Sequence, residues 1–233
     1  MAKISATKSW QSLDSIVIWA MENFENRRDR FELFNSFESP LLNLTFNLEV
    51  PEFRDFCKQK GHPPFHFFLY VLFKSLMKVD NFRYRIYRDE VIKIDRLIPS
   101  YTVMNQDGVL NFTRFEHSDD LRVFIERSLL AREESTRAKK LLHSATEFSE
   151  REIKDYVFIT SIPWLDFTSI QHPVKKLSSV DIPSIAWGKF KSMDENRLSM
   201  PFSVQVHHGF VDGYHIHLLA QEISAEISNQ ISK

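Results

Sequence analysis

Ser203-Val204-Gln205-Val206-His207-His208-Gly209-Phe210-Val211-Asp212-Gly213-Tyr214-His215 is the stretch around which the rest of the chain is organised. Phe202, Val204 and Val206 alternate with Ser203, Gln205 and His207, the period-two pattern of a strand with one buried face. Continued parity places His208 on the apolar side. An imidazole in apolar surroundings is costly to charge, so it stays neutral near neutral pH and can accept a proton. Asp212 and Gly213 then close a short loop. From Tyr214 onward Ile216, Leu219, Ile223, Ile227 and Ile231 recur at helical spacing, with Asp212 placed to cap the helix. The pattern reads strand, loop, helix.

The composition around this block is that of a soluble globular chain. With 233 residues, 43% hydrophobic and 26% charged, there is enough apolar side chain for one sizeable core. A formal net charge of -1 gives no long-range attraction for nucleic acid or an anionic membrane, so neither is expected as a partner. The aromatic content rests on 21 Phe, which points to a core, or a ligand pocket, built from phenyl rings. The single cysteine, Cys57, excludes an intramolecular disulfide and suits a reducing compartment. Phe53, Phe56 and Cys57 share one face of a short helix, where a thiol packs as a small hydrophobe. No signal peptide and no membrane-length apolar run is present, and a cytoplasmic location is expected.

Along the chain, residues 1–20 read as an N-terminal extension, with a packed segment at 16–20, and 21–233 as a single domain. Residues 42–50 alternate for a full strand. Pro51 opens the short helix of Cys57, and the apolar run 65–79 predicts a buried helix with Lys74 and Lys78 on its wet edge. Strand pairs follow at 82–87 with 91–94 and at 100–104 with 110–113, then helix within 117–142, and strands at 158–164 and 184–190. Strands and helices mix without βαβ alternation. The expected class is α+β, a two-layer α/β sandwich with a mixed, mainly antiparallel sheet covered by helices.

Several groups could carry chemistry. His207, His208, Asp212, His215 and His217 are all potential metal ligands, but adjacent histidines on a strand point to opposite faces, and no metal site is expected. Thr160, in an apolar strand before Pro163-Trp164, has the pattern of a core threonine. Arg27-Arg28-Asp29-Arg30 has the pattern of a solvated helical face.

The block His207-His208-x-x-x-Asp212-Gly213-x-His215, preceded by Pro201-x-Ser203-Val204-Gln205-Val206, resembles the active-site signature of the chloramphenicol acetyltransferases. That family shares its fold with the acyltransferase cores of 2-oxo-acid dehydrogenase complexes. The resemblance covers about residues 22 to 230 and implies roles. His208 is the general base and Asp212 is structural. Thr160, three residues before Pro163, stands where the family has an oxyanion-stabilising serine. Arg27, or else Arg28, pairs with Asp212 in a block anchored on Phe31 and Phe34. Lys189 lies near the coenzyme A phosphates, and Phe34, Tyr101, Thr102, Phe112 and Ile170 fall in the acceptor pocket. It further implies a homotrimer with sites between subunits, acetyl-CoA as co-substrate, no metal, and direct acetyl transfer to a small-molecule alcohol, chloramphenicol first. Some positions depart from the family. Ala186 replaces a threonine that holds an active-site water, which implies a slower enzyme, while Arg114, Ile170 and His172 stand where apolar pocket residues are usual. These departures keep open a different alcohol or thiol acceptor, or a catalytically weak trimer that binds a ligand.

Overall fold

The computed structural model describes residues 24–141, 149–174 and 180–233; the extension expected at 1–20, with its packed segment, lies outside them. A 3-10 turn at Phe24–Arg27 leads into α1 (Arg28–Asn35), followed by β1 (Leu41–Pro51), α2 (Arg54–Lys60) and α3 (Pro64–Lys78). A second 3-10 turn, Asp80–Arg83, precedes β2 (Tyr84–Tyr87) and β3 (Glu90–Lys93). Next come β4 (Ile98–Met104), β5 (Leu110–Arg114), α4 (Leu121–Arg137), α5 (Glu150–Ile153) and β6 (Tyr156–Ser161). The chain ends with β7 (Ser184–Trp187), β8 (Lys191–Ser192), β9 (Arg197–His207) and α6 (Gly213–Ile231).

Among the described residues seven strands form one sheet in the order β1-β9-β7-β6-β4-β5, with β8 on β9, while β2 and β3 make a separate hairpin. The β4–β6 and β6–β7 pairs are parallel and the others antiparallel, so the sheet is mixed and mainly antiparallel, as expected. Register and alternation set its two faces. Tyr101, Ile159, Ile185 and Val204 lie in one row facing the helices. Against that row packs α3, whose residues from His66 to Phe73 are all buried, and Phe68 meets Trp187 edge to face at 5.1 Å. Pro64 starts α3 with its fixed φ, and Asp120 caps α4 by accepting from Val123 N at 2.9 Å.

Three local expectations change. Pro51 ends β1 instead of opening a helix; a proline on an edge strand costs no ladder bond, and α2 starts only at Arg54. Strands β6 and β7 stop at Ser161 and Trp187, short of the proline and phenylalanine expected to end them. The largest change is in β9, which is buried on both faces. Its polar side is covered by the chain at Ile170 and His172 and, at His207, by Phe31 and Asn35 of α1. Thr45 Oγ1 donates to Ser203 Oγ at 2.9 Å, and Ser203 Oγ to Asn43 Oδ1 at 3.0 Å. Asn43 Nδ2 reaches the Ile170 carbonyl at 2.6 Å. Polar residues there are satisfied by one another, so the alternation was read correctly while exposure was not.

The β2–β3 hairpin is held against the sheet by a buried cation. Arg85 donates to the carbonyls of Phe82, Tyr84 and Lys154 at 2.8 Å and of Tyr156 at 3.2 Å. Asp181 accepts from Ile86 N at 2.7 Å and from Lys154 Nζ at 2.9 Å. No sequence pattern announced this anchor.

Candidate active site

In the loop after β9 the backbone carbonyls from His207 to Val211 all have partners. His207 O accepts from Phe210 N and Val211 N, both at 3.0 Å. Arg27 bonds to the carbonyls of Gly209 and His208 at 3.2 and 3.4 Å, Asn81 to that of Phe210 at 2.8 Å, and His208 Nδ1 to that of Val211 at 3.2 Å. Gly209 is required by crowding: a Cβ there would lie 2.9 Å from Phe31 Cα. His208 N donates to Pro40 O at 2.8 Å, tying the loop to the start of β1.

The adjacent histidines are held in opposite tautomers by these partners. A carbonyl only accepts, so His208 Nδ1 must carry the proton, which leaves Nε2 with a free lone pair. The Gly209 N–H only donates, at 3.1 Å, so His207 Nδ1 is the bare nitrogen and its Nε2 faces Asn35 Oδ1 at 3.4 Å. Their environments differ too. β9 ends at His207, so strand parity does not extend to His208. His207 is the buried imidazole, against Phe31 and Phe210, whereas half-buried His208 stacks on Phe34 with ring centroids 3.9 Å apart. Burial pushes the His207 pKa down from 6.5 to about 4, with nearby Asp181 pulling the other way and His208 adding to the fall.

This shift predicts a pH dependence of stability. Unfolded, His207 takes up a proton below 6.5, but folded only below about 4, so within that window the unfolded chain binds more protons. Its contribution is complete above the window and is lost as pH falls through it. His66, lowered to about 4 by burial and then by Arg132, acts in the same direction. Thermal unfolding midpoints should fall more steeply on acidification in the wild type than in His207→Gln; equal slopes would show that His207 titrates alike in both states.

Asp212 joins loop and helix. Oδ1 caps α6 by accepting from Tyr214 N at 3.0 Å and lies 2.9 Å from the His215 ring; Oδ2 meets Arg27 Nη1 at 2.9 Å. Burial would raise its pKa, but the bonds and charges of His215 and Arg27 overcome that and hold the carboxyl well below the usual range. It is Arg27 that makes this pair, since Arg28 is bound to Glu25 on the surface.

A cleft of about 790 Å³ opens on the sheet face opposite α3, with Glu150 and Ile153 of α5 also in its lining. Ser100, Thr102, Phe112, Phe158, Thr160 and Ser184 line it from the sheet, Ile86 to Asp89 from the hairpin, and His172 from the covering stretch. Thr102, Phe112 and Thr160 thus come together. Tyr101 does not, because its side chain faces the helices and donates to the Ser128 carbonyl at 2.8 Å. Arg114 is turned to the Tyr156 hydroxyl at 2.8 Å, Ile170 serves through its backbone carbonyl, and Lys189 is exposed. Ala186 sits fully buried beside Thr160 in register and brings no hydroxyl. Sequence reading missed Ser100, Ser184 and the hairpin wall; the position of Ser100 two residues before Thr102 was the one signal for it.

His208 does not line this cleft. Thr160 aligns with Ala186, and Ala186 with Ser203, five residues before His208. At about 3.3 Å per residue and about 4.8 Å per strand, the backbones of His208 and Thr160 stand about 19 Å apart.

Comparison with known proteins matches residues 18–224 to the family model described as chloramphenicol acetyltransferase. The chain belongs to the chloramphenicol acetyltransferase family. It is an acyltransferase. The chloramphenicol acetyltransferase of Escherichia coli is 26% identical over 199 residues, spanning 85% of this chain and 88% of the relative. That of Staphylococcus aureus is 27% identical over 216 residues, spanning 87% and 91%. A solved chloramphenicol acetyltransferase superposes with a TM-score of 0.73 at 26% identity, covering 89% of this chain and 98% of the other. The cubic core of the pyruvate dehydrogenase multienzyme complex, with a TM-score of 0.58 and 14% identity over 100% of both chains, shares the fold alone. The family assignment agrees with the fold and acyltransferase class expected from the His207–His215 block.

Proposed function

We propose that the chain is an acetyl-CoA-dependent O-acetyltransferase that acetylates chloramphenicol by direct transfer, with His208 as general base. The observation that carries this is the His208 ring: Nδ1 is committed to the Val211 carbonyl, so Nε2 presents its lone pair from a loop held by hydrogen bonds. Nε2 takes the proton of the acceptor hydroxyl as that oxygen attacks the thioester carbonyl. The C–S bond then breaks, and the proton passes from Nε2 to the departing coenzyme A sulfur. No acyl-enzyme forms. The Thr160 hydroxyl donates to the oxyanion, a contact of the kind that lowers a barrier by about 3 kcal/mol. Arg27 and Asp212 hold the loop, Phe34 backs the imidazole, Thr102 and Phe112 bound the acceptor, and Lys189 meets the coenzyme A phosphates. No metal takes part.

The separation of His208 from Thr160 supports a site shared between copies of the chain, since one carbonyl cannot be served by groups so far apart. The assembly we propose is a homotrimer, each site combining His208 of one subunit with the Thr160 cleft of the next. The buried thiol of Cys57, pushed up to about 12 by burial, is inert and suits the proposed cytoplasmic location. No helix among the described residues is long and apolar enough to cross a membrane.

The test is release of coenzyme A thiol from acetyl-CoA with and without chloramphenicol. Chloramphenicol-dependent release is expected; acceptor-dependent release seen only with another alcohol would move the substrate and keep the chemistry.

A further inference from the structure

The wall of the cleft formed by Ile86 to Asp89 belongs to a hairpin that shares no ladder with the seven-stranded sheet. A two-stranded ribbon is marginal by itself, so the shape of the cleft depends on what ties this one down. Its turn adds to the demand. Arg88 and Asp89 have φ of 51° and 63°, the left-handed region, with no glycine at either position. Backbone of that kind persists where its surroundings impose it.

Asp181 is the point at which the hairpin is held. Its side chain is 0% exposed and does not line the cleft. Oδ2 accepts from Ile86 N at 2.7 Å, in the place a neighbouring strand would take, and the two oxygens accept from Lys154 Nζ at 2.9 and 3.0 Å. Lys154 directly follows α5 and lines the cleft, and its own carbonyl accepts from Arg85 at 2.8 Å. Hairpin, α5 and the approach to β7 therefore meet on one buried carboxylate. Burial lowers the Arg85 guanidinium to about 10, with the charges of Asp181 and then Asp155 opposing the fall, so the hairpin carries a cation that Asp181 helps to balance.

We propose that Asp181 is a positioning residue for the reaction: by accepting from Ile86 N it keeps the β2–β3 hairpin in place, so that the acceptor meets a cleft wall already formed. It rests on the reading of the cleft as the acceptor site. Without that bond the hairpin stands in place only part of the time, and the apparent affinity for the acceptor falls by that fraction, while an acceptor already bound reacts as before. The signature is a raised acceptor KM at unchanged kcat. Loss of folded protein alone gives the opposite, a lower kcat at the same KM.

Two substitutions in the full chain separate the bond from the fold. Asp181→Asn keeps an oxygen that accepts from Ile86 N, Asp181→Leu keeps none, and both leave Lys154 without its carboxylate. Asp181→Leu should raise the chloramphenicol KM about tenfold, the factor one hydrogen bond supplies, with kcat and the acetyl-CoA KM within about twofold of the wild type. Asp181→Asn should recover most of that increase. Both are also made in a Lys154→Met background, which removes the unpaired buried cation where it prevents folding; the effect of Lys154 on the lining cancels in the ratio of Leu to Asn variants, which should be unchanged. Hydrogen exchange of residues 84–93 should quicken in Asp181→Leu and stay slow in Asp181→Asn. Equal chloramphenicol KM values for the Leu and Asn variants, a fall in kcat at unchanged KM, or equal hairpin exchange would overturn the assignment. A wild type that turns over no chloramphenicol would retire the acceptor reading, and the exchange contrast would then decide by itself whether Asp181 holds the wall.

Discussion

Replacing His208 by Ala is expected to lower acceptor-dependent thiol release by about 10²–10⁴-fold, the range a positioned general base contributes. The loss should fall on kcat, because the half-buried ring meets the acceptor hydroxyl chiefly at the moment of proton transfer. His208→Gln should be no better. Its amide can fill the space over Phe34 but has no basic nitrogen to take a proton. Unfolding midpoints should hardly move, since the contacts the ring gives up are the Phe34 stack and the bond to Val211 O, while Arg27 and Asn81 still hold the neighbouring carbonyls. Activity retained in both variants would place the base elsewhere and remove the main support for the mechanism.

Mixing two inactive variants should restore activity. His208→Ala lacks the base and keeps the cleft; Thr160→Val lacks the oxyanion donor, worth about 10²–10³-fold, and keeps the base. If each site joins His208 of one subunit to Thr160 of the next, unfolding the two proteins together and refolding them yields sites with both groups intact. Random assembly of equal amounts makes about a quarter of the sites complete, so about a quarter of the wild-type rate should return from two nearly silent parents. The same proteins mixed without refolding are the control. No gain after refolding would mean that base and cleft belong to one chain, or to a rearrangement that brings them together within it.

Residues close in sequence carried most of what could be read in advance. The helix after Asp212 was legible because capping acts over three residues and apolar spacing over four, and the capped helix Gly213–Ile231 follows both signals. The apolar run of α3 was legible for the same reason. Arg27 and Asp212 lie 185 positions apart, and only the family resemblance linked them beforehand. Tyr101 shows the limit: it lies in the same strand as Thr102, but one step along a strand reverses the face, so one lines the cleft and the other packs under the helices.

By itself the sequence determined the α+β class, the strand–loop–helix that carries His208, and the family, because periodicity, caps and a dense motif are local and survive divergence. Tertiary structure decided which histidine is buried, which nitrogen of His208 is free, and how far His208 stands from Thr160. It also brought Ile170 and His172 onto the polar residues of β1 and β9, through bonds such as the one spanning 127 positions from Asn43 to Ile170, and so left His172 at the edge of the cleft. Burial and hydrogen-bond partners are properties of neighbours in space. For the polar face of this sheet those neighbours come from a segment that no local period announces.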